Sequence, residues 1–275
     1  MVSSGKKKAS KKAKTKKAKA KKAKAKKPHV GRTIVIGDVH GCARELGALL
    51  DKLGPVRGDR VFLVGDLVMR GPEPNTVLRM VREVGGIAVR GNHEWRLTRW
   101  RDLQSRRTSK RATAELSTHD ERILANKMLR ATAAEIDDEG WAQIESMPLW
   151  LEVPEQELLV VHAGLVPGVP LGKQLERDLL HIRGITKDGA ATERRDEGVL
   201  WGKRYEGPTH VVFGHNANAK PQLHRHATGI DTGCVYGGRL TALVLPEHRT
   251  VPKGADARKK LLVSVKARRT YQAIQ

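Results

Sequence analysis

Five short motifs, in a fixed order between residues 37 and 215, constrain this chain more than anything else in it. They are Gly37-Asp38-Val39-His40-Gly41, Gly65-Asp66-Leu67-Val68-Met69-Arg70-Gly71, Gly91-Asn92-His93-Glu94, His162-Ala163-Gly164 and Gly214-His215. Each sets a carboxylate, amide or imidazole beside a glycine, and most follow a run of Val, Ile and Leu. A buried strand that ends in a glycine turn delivers such a side chain to the end of a sheet. Several strands ending this way can gather oxygen and nitrogen ligands around one point.

The segments between the motifs support that arrangement. Arg32 to Ile36 and Asp59 to Val64 read as strands, and Gly86 to Val89 as a third. Leu46, Leu49, Leu50 and Leu53 repeat at helical spacing over residues 43–53, with Gly54-Pro55 as the stop, and Val77, Leu78, Val81 and Val84 mark a second helix over 75–84. Strand–helix–strand–helix–strand with continuously apolar strands predicts an α/β core whose sheet is covered on both faces. Its site then lies outside the carboxyl ends of the strands, where the first three motifs fall. Residues 95–147 are helical in pattern and read as an insertion that walls the site. Arg96, Arg99, Arg101, Arg106, Arg107, Lys110 and Arg111 stand there against Asp102, which suggests an electrostatic funnel for an anion. Leu149–Val153, Leu158–Val161, His210–Phe213, Leu240–Leu245 and Leu262–Val265 are strand-like and are expected to build the other sheet. The basic stretch from Lys266 to Gln275 is expected to fray.

Charge divides the chain further. Of the formal +22, 14 come from the lysines of residues 1–27, which contain no acid, so +8 is left for the other 248 residues. Closely spaced lysines repel and have no apolar face to bury, so residues 1–28 read as a disordered Lys/Ala-rich tail and 29–275 as one catalytic domain. Such a tail suits a polyanion, either nucleic acid or polyphosphate. Cys42 and Cys234 are too few for a disulfide framework and are expected as reduced, buried thiols. No stretch approaches the ~20 apolar residues of a membrane span, and no apolar segment follows the basic start, so the expectation is a cytoplasmic protein.

Asp38 and His40 are two apart at a strand end and can leave the same side of the backbone. The two oxygens of Asp66 can bridge a pair of cations. Asn92 offers an amide oxygen, and His162 and His215 offer imidazoles. This thiolate-free set suits Mn, Zn, Fe or Co, with Mn first, better than a closed structural zinc site. Two cations roughly 3.5–4 Å apart generate hydroxide at neutral pH and neutralise phosphoryl oxygens during in-line attack. His93 stands next to Asn92, positioned to protonate a leaving oxygen. Arg70 lies four residues after Asp66 and can grip a phosphate bidentately.

The motifs GDVHG, GDLVxRG, GNHE, HAG and GH resemble those of the calcineurin-like metallophosphoesterases, within the phosphoprotein phosphatase superfamily. GDVHGC, VHAGLVPGVP and DTGCVYGGRL are similar to the symmetrical diadenosine tetraphosphatases and ApaH-like phosphatases. The resemblance covers about residues 32–245. It implies a β-sandwich of two mixed sheets flanked by helices. It also implies two divalent metal ions, one held by Asp38, His40 and Asp66 and the other by Asp66, Asn92, His162 and His215. His93 would be the general acid, and a second phosphate-binding arginine is expected, for which Arg183 is the candidate. The implied activity is cleavage of phosphoanhydride bonds in dinucleoside or nucleoside polyphosphates, capped RNA ends or polyphosphate. The alternatives are a serine/threonine phosphoprotein phosphatase and a nucleic-acid-binding protein with an inactive phosphatase domain. Met69 departs from the protein phosphatases, which carry there an acid that supports the general-acid histidine. Its absence favours leaving groups that need little protonation, as phosphates do.

Overall fold

The computed structural model describes Met1, residues 31–108 and residues 116–273. The Lys-rich tail and the start of the catalytic domain at His29 lie outside the described residues, as do Lys110 and Arg111 of the basic insertion. In chain order the elements are β1 (Thr33–Ile36), α1 (Ala43–Leu53), β2 (Arg60–Leu63), α2 (Pro74–Glu83), β3 (Ile87–Ala88), α3 (Asn92–Thr108), α4 (Thr118–Leu124), α5 (Lys127–Glu135), α6 (Asp138–Ser146), β4 (Trp150–Val153), β5 (Leu158–Val161), α7 (Glu176–His181), β6 (Gly184–Ile185), β7 (Ala191–Thr192), β8 (Val199–Leu200), α8 (Trp201–Arg204), β9 (His210–Phe213), β10 (Gln222–Leu223), β11 (Ala227–Gly229), β12 (Arg239–Leu245), α9 (Ala255–Lys259) and β13 (Leu262–Lys266).

Two mixed five-stranded sheets form the body, ordered β13-β12-β1-β2-β3 and β10-β11-β9-β5-β4. In the first, β1, β2 and β3 run parallel. In the second, β5, β9 and β11 do. Alternation along the strands explains why the sheets stack. Ile34 and Ile36 of β1 enter the core shared with α1 and α2, while Val35 between them faces the core between the sheets. In β5, Leu158 and Val160 face that inter-sheet core, and Leu159 and Val161 face a third core containing Trp201 and Leu179. Both faces of both sheets are therefore covered, as near-continuous apolar strands require. Helix α1 ends as its sequence requires: Gly54 takes a left-handed φ of 51° and its N–H returns to the Leu50 carbonyl.

Three expectations need correction. β12 and β13 do not belong to the second sheet. β12 pairs antiparallel with β1, and β13 with β12, so the chain returns to the first sheet at its end. Strand texture reports burial but not which strand is the neighbour. The described residues after β13, up to 273, are tied down: Ala267 is buried, and Glu45 accepts hydrogen bonds from the Arg268 N–H at 2.8 Å and the Tyr271 hydroxyl at 2.9 Å. The helical insertion is present as α3 to α6, but three of its five described funnel arginines are neutralised. Arg99 pairs with Asp120 at 2.8 Å, Arg101 with Glu145 at 2.8 Å and Arg106 with Asp102 at 3.1 Å. Two of these three acids lie beyond the segment that looked acid-poor. A small antiparallel sheet, β7-β6-β8, was not anticipated.

Candidate active site

The carboxyl ends of the six parallel strands converge. Asp38 and His40 follow β1, Asp66 follows β2, and Asn92 and His93 open α3 just after β3. His162 follows β5 and His215 follows β9. The first two turns are tied together, because the N–H groups of Val39 and His40 both donate to the Asp66 carbonyl, at 3.1 and 2.8 Å.

Asp66 is the centre of the cluster. Its Oδ2 lies 3.6 Å from His40 Nε2 and 3.9 Å from His93 Nε2, and its Oδ1 lies 3.5 Å from His162 Nε2. The two oxygens thus face two different sets of imidazoles. Asn92 Oδ1 stands 3.0 Å from His162 Nε2 and 3.1 Å from His215 Nδ1. Asp38 Oδ2 accepts the His215 N–H at 3.0 Å. The structure therefore brings Asp38, His40, Asp66, Asn92, His93, His162 and His215 into one buried cluster.

Several features of this cluster call for cations. Asp38 Oδ1 and His215 Nε2 are buried without a hydrogen-bond partner. The Val64 carbonyl accepts a hydrogen bond from His162 Nδ1–H at 2.8 Å, so in the neutral ring Nε2 keeps a lone pair and points it at the Asn92 oxygen. Two acceptors 3.0 Å apart repel unless a positive charge lies beside both. Burial holds His40, His93 and His215 well below the usual imidazole range and brings His162 to about 4. All four rings are then neutral at pH 7 and can offer lone pairs. Burial also raises the carboxyl groups of Asp38 and Asp66, the latter to about 7, as expected of crowded acids lacking a counter-charge. Divalent cations fit this donor set.

The backbone is strained where the motifs lie. Among the described residues, seven non-glycine residues have positive φ, and five of them are His40, Asp66, Met69, Arg70 and His215. Such conformations persist only when their surroundings enforce them. Glu94 is one of the enforcers. Its fully buried carboxylate accepts N–H groups from Asp66 and Gly91 on one oxygen, both at 2.9 Å, and from Leu67 and Val68 on the other, at 2.9 and 3.2 Å. Gly91 is required for a different reason, since a Cβ there would lie 2.2 Å from Asp66 Oδ1.

Around the buried cluster stand arginines. Arg70 Nη1 donates to the Tyr236 hydroxyl and lies 3.4 Å from His40 Nε2. Arg183 donates to Asn216 Oδ1 at 2.8 Å, beside His215. Arg96, half-buried on α3, and the exposed Arg195 complete the group. None of the four pairs with a carboxylate among the described residues. Arg183 has Arg195 and Arg70 as like-charged neighbours, with Asp231 as its acidic one, and Arg96 has Arg70, with Asp66 as its acidic one. Met69 occupies the position expected from its sequence, with Sδ 3.3 Å from His93 Nδ1.

Asp231 belongs to the cluster and was missed. It is buried, and its carboxyl is raised by burial while His162, Arg70 and Arg183 pull it down. It pushes the Asp38 carboxyl up in turn. It follows parallel strand β11 just as the other motifs follow theirs, and the Asp231-Thr232-Gly233 turn after that strand was the available signal. Glu94 was quoted as part of a motif but given no task. Cys42 and Cys234 are free and buried as expected, and the structure adds that they lie together beside Glu45.

A two-sheet sandwich with imidazoles and carboxylates gathered at its parallel strand ends defines a metal-dependent phosphoesterase. The chain belongs to the calcineurin-like phosphoesterase family, whose model matches residues 31–249. It is 34% identical over 235 residues to bis(5'-nucleosyl)-tetraphosphatase PrpE (asymmetrical) of Halalkalibacterium halodurans, covering 78% of this chain and 89% of that protein. The protein of the same name from Geobacillus thermodenitrificans is 33% identical over 243 residues, covering 79% and 91%. A crystal structure described as a candidate diadenosine tetraphosphatase superposes with a TM-score of 0.69 at 31% identity, covering 87% of this chain and 95% of that one. A serine/threonine phosphatase from Saccharomyces cerevisiae shares the fold, with a TM-score of 0.50 at 15% identity over 90% and 82% of the two chains.

Proposed function

We propose that this protein hydrolyses the phosphoanhydride bridge of dinucleoside tetraphosphates, cutting it asymmetrically into a nucleoside triphosphate and a nucleoside monophosphate. The observation that carries the reading is the set of four arginines without carboxylate partners, Arg70, Arg96, Arg183 and Arg195, around the cluster. One phosphomonoester needs one bidentate grip, whereas a four-phosphate bridge brings a charge for each guanidinium. The names of the relatives supply the asymmetrical cut.

Asp38, His40 and Asp66 would hold one divalent cation, and Asp66, Asn92, His162 and His215 the other, with manganese the first choice and zinc, iron or cobalt the alternatives. When bound, the pair supplies electrophilic pull on phosphoryl oxygens and makes water acidic enough to attack at neutral pH. Arg70 and Arg183 hold the phosphate so that attack and departure are in line. His93, close to Asp66, is the proton donor to the leaving oxygen. Burial and the neighbouring His40 hold its protonated form down, and Met69 in place of an acid does nothing to restore it. A weak proton donor suits a phosphate leaving group and disfavours a serine or threonine alkoxide, so the anhydride reading stands ahead of a phosphoprotein phosphatase. In the overall reaction water adds across one P–O–P link: one P–O bond forms, one breaks, and the departing phosphate keeps the bridging oxygen.

The 14 lysines of residues 1–27 are assigned to a separate task, holding nucleic acid or polyphosphate near a domain that begins at residue 29. The deciding experiment supplies Mn, Zn, Co or Mg to the purified full chain with diadenosine tetraphosphate, polyphosphate, capped RNA and a phosphoserine peptide. ATP plus AMP in equal amounts supports the proposal. Two ADP, or faster phosphopeptide than dinucleotide turnover, rejects it.

A further inference from the structure

Arg183 lines two cavities that flank the cluster, and their linings differ. One has a volume of about 210 Å³ and carries Arg70, Arg183, Arg195 and Tyr236. The other, about 720 Å³, lies between α3 and α7 and reaches Asn92 and His215. Its wall includes Trp95, Leu180 and His181, with Arg96 and Arg183 at its charged side. The first is small and cationic. The second is within the 300–1,000 Å³ range of small-molecule sites and offers aromatic surface close to the reacting centre.

The aromatic wall is held in place. The Trp95 indole N–H donates to Glu176 Oε1 at 2.7 Å, which satisfies its only polar atom. Its ring meets the His181 ring nearly at right angles, 86° with centroids 6.3 Å apart. Glu193, the other acid of the wall, is bound by Arg177 at 2.7 Å. Glu176 keeps its charge, but Arg96, Arg177 and Arg183 outnumber the two acids of the lining, so the balance left for a ligand is positive. An indole lining the cavity, braced edge-on by His181 and next to the guanidiniums of Arg96 and Arg183, suits a planar heterocycle joined to phosphate.

The geometry points to a nucleoside subsite in the α3–α7 cavity, where the base stacks against Trp95 and the phosphate chain passes Arg183 towards the arginine-lined cleft. This rests on the phosphohydrolase reading above and specifies it, because it makes the enzyme a reader of nucleosides as well as of phosphates. Trp95 is the specificity-determining residue, and His181 is its support. The polyphosphate runs from the aromatic cavity, across the cluster, to Arg70 and Arg195.

The test compares Trp95→Ala and Trp95→Phe with the parent protein on two substrates, diadenosine tetraphosphate and p-nitrophenyl phosphate, which has no nucleoside. Loss of one base stack should raise KM for the dinucleotide about 5- to 100-fold more than for p-nitrophenyl phosphate in the alanine variant. The phenylalanine variant should keep most of the affinity. Titration calorimetry with AMP on the metal-loaded protein reads the same subsite without turnover, and binding should weaken in the alanine variant alone. Equal losses on both substrates, or unchanged AMP binding, would overturn the inference. Failure of the parent protein to hydrolyse either substrate would instead sink the hydrolase reading, while the AMP titration would still decide the subsite.

Discussion

The floor of the site and its rim are built in opposite ways. The floor is buried, set at the ends of six parallel strands, and held by backbone hydrogen bonds to residues such as Glu94. The rim consists of half-buried or exposed arginines and a tryptophan on α3, on the loops flanking β6 to β8, and in the turn after β2. The floor can serve any phosphoryl transfer, because it presents ligands to cations. On the function proposed above, the rim would select the substrate through its positive charge and its aromatic surface. Activity and specificity should therefore fail separately.

The largest effect belongs to the floor. Asp66→Asn should cost more than the ~10- to 100-fold that loss of a supporting residue costs, with metal content falling in elemental analysis. Full activity in that variant would break the comparison at its root. At the rim, Arg183→Ala should lower kcat/KM for diadenosine tetraphosphate by about 10²–10³-fold, with metal content unchanged. Coupled loss of metal would mean that rim and floor are not separate. Glu94→Gln tests the support of the floor: metal affinity should fall ~10- to 100-fold, measured by competition with a chelating dye. Restoring an acid beside His93 is subtler. Met69→Asp should raise phosphopeptide turnover relative to dinucleotide turnover, by no more than about 10²-fold, the lower end of what proton transfer contributes.

The smallest effect is a pH dependence of the metal-free protein. The folded-state carboxyl of Asp66 is raised to about 7 from an ordinary value of 3.8. Its contribution to stability is present below the ordinary value and is lost as pH climbs through about 7. The Asp66 share of the stability of chelator-treated protein, read as melting temperature, should fall from about pH 4 to about pH 7 and level off above it. Bound metal should remove that dependence and, on binding at pH 7, release protons detectable by calorimetry in buffers of different ionisation enthalpy. A flat melting profile without metal would show that the raised carboxyls are not a property of the empty floor.

Much of the floor was legible in the sequence, and little of the rim. Asp38, His40, Asp66, Asn92, His162 and His215 stand out because each lies within two residues of a glycine, most of them after an apolar run, and that local pattern is set by the strand before it. Asp231 likewise follows a parallel strand, but one of only three residues, Ala227–Gly229, too short and too polar to announce itself. Arg183 could be guessed, but not its place beside Asn216. The basic insertion misled because a charge count omits partners: Asp120 and Glu145 are 21 and 44 residues from the arginines they neutralise.

The order of the ligands, the apolar strands that carry them and the missing acid at Met69 are properties of neighbouring residues, so the primary structure alone determined them. Which sheet receives the last two strands, which arginines stay unpaired, and that Trp95 packs edge-on against His181 in one cavity wall were decided only by the tertiary structure. Those relations join residues tens to hundreds of positions apart. They arise when two sheets bury their shared faces and bring distant loops to one edge, which no local pattern of side chains encodes.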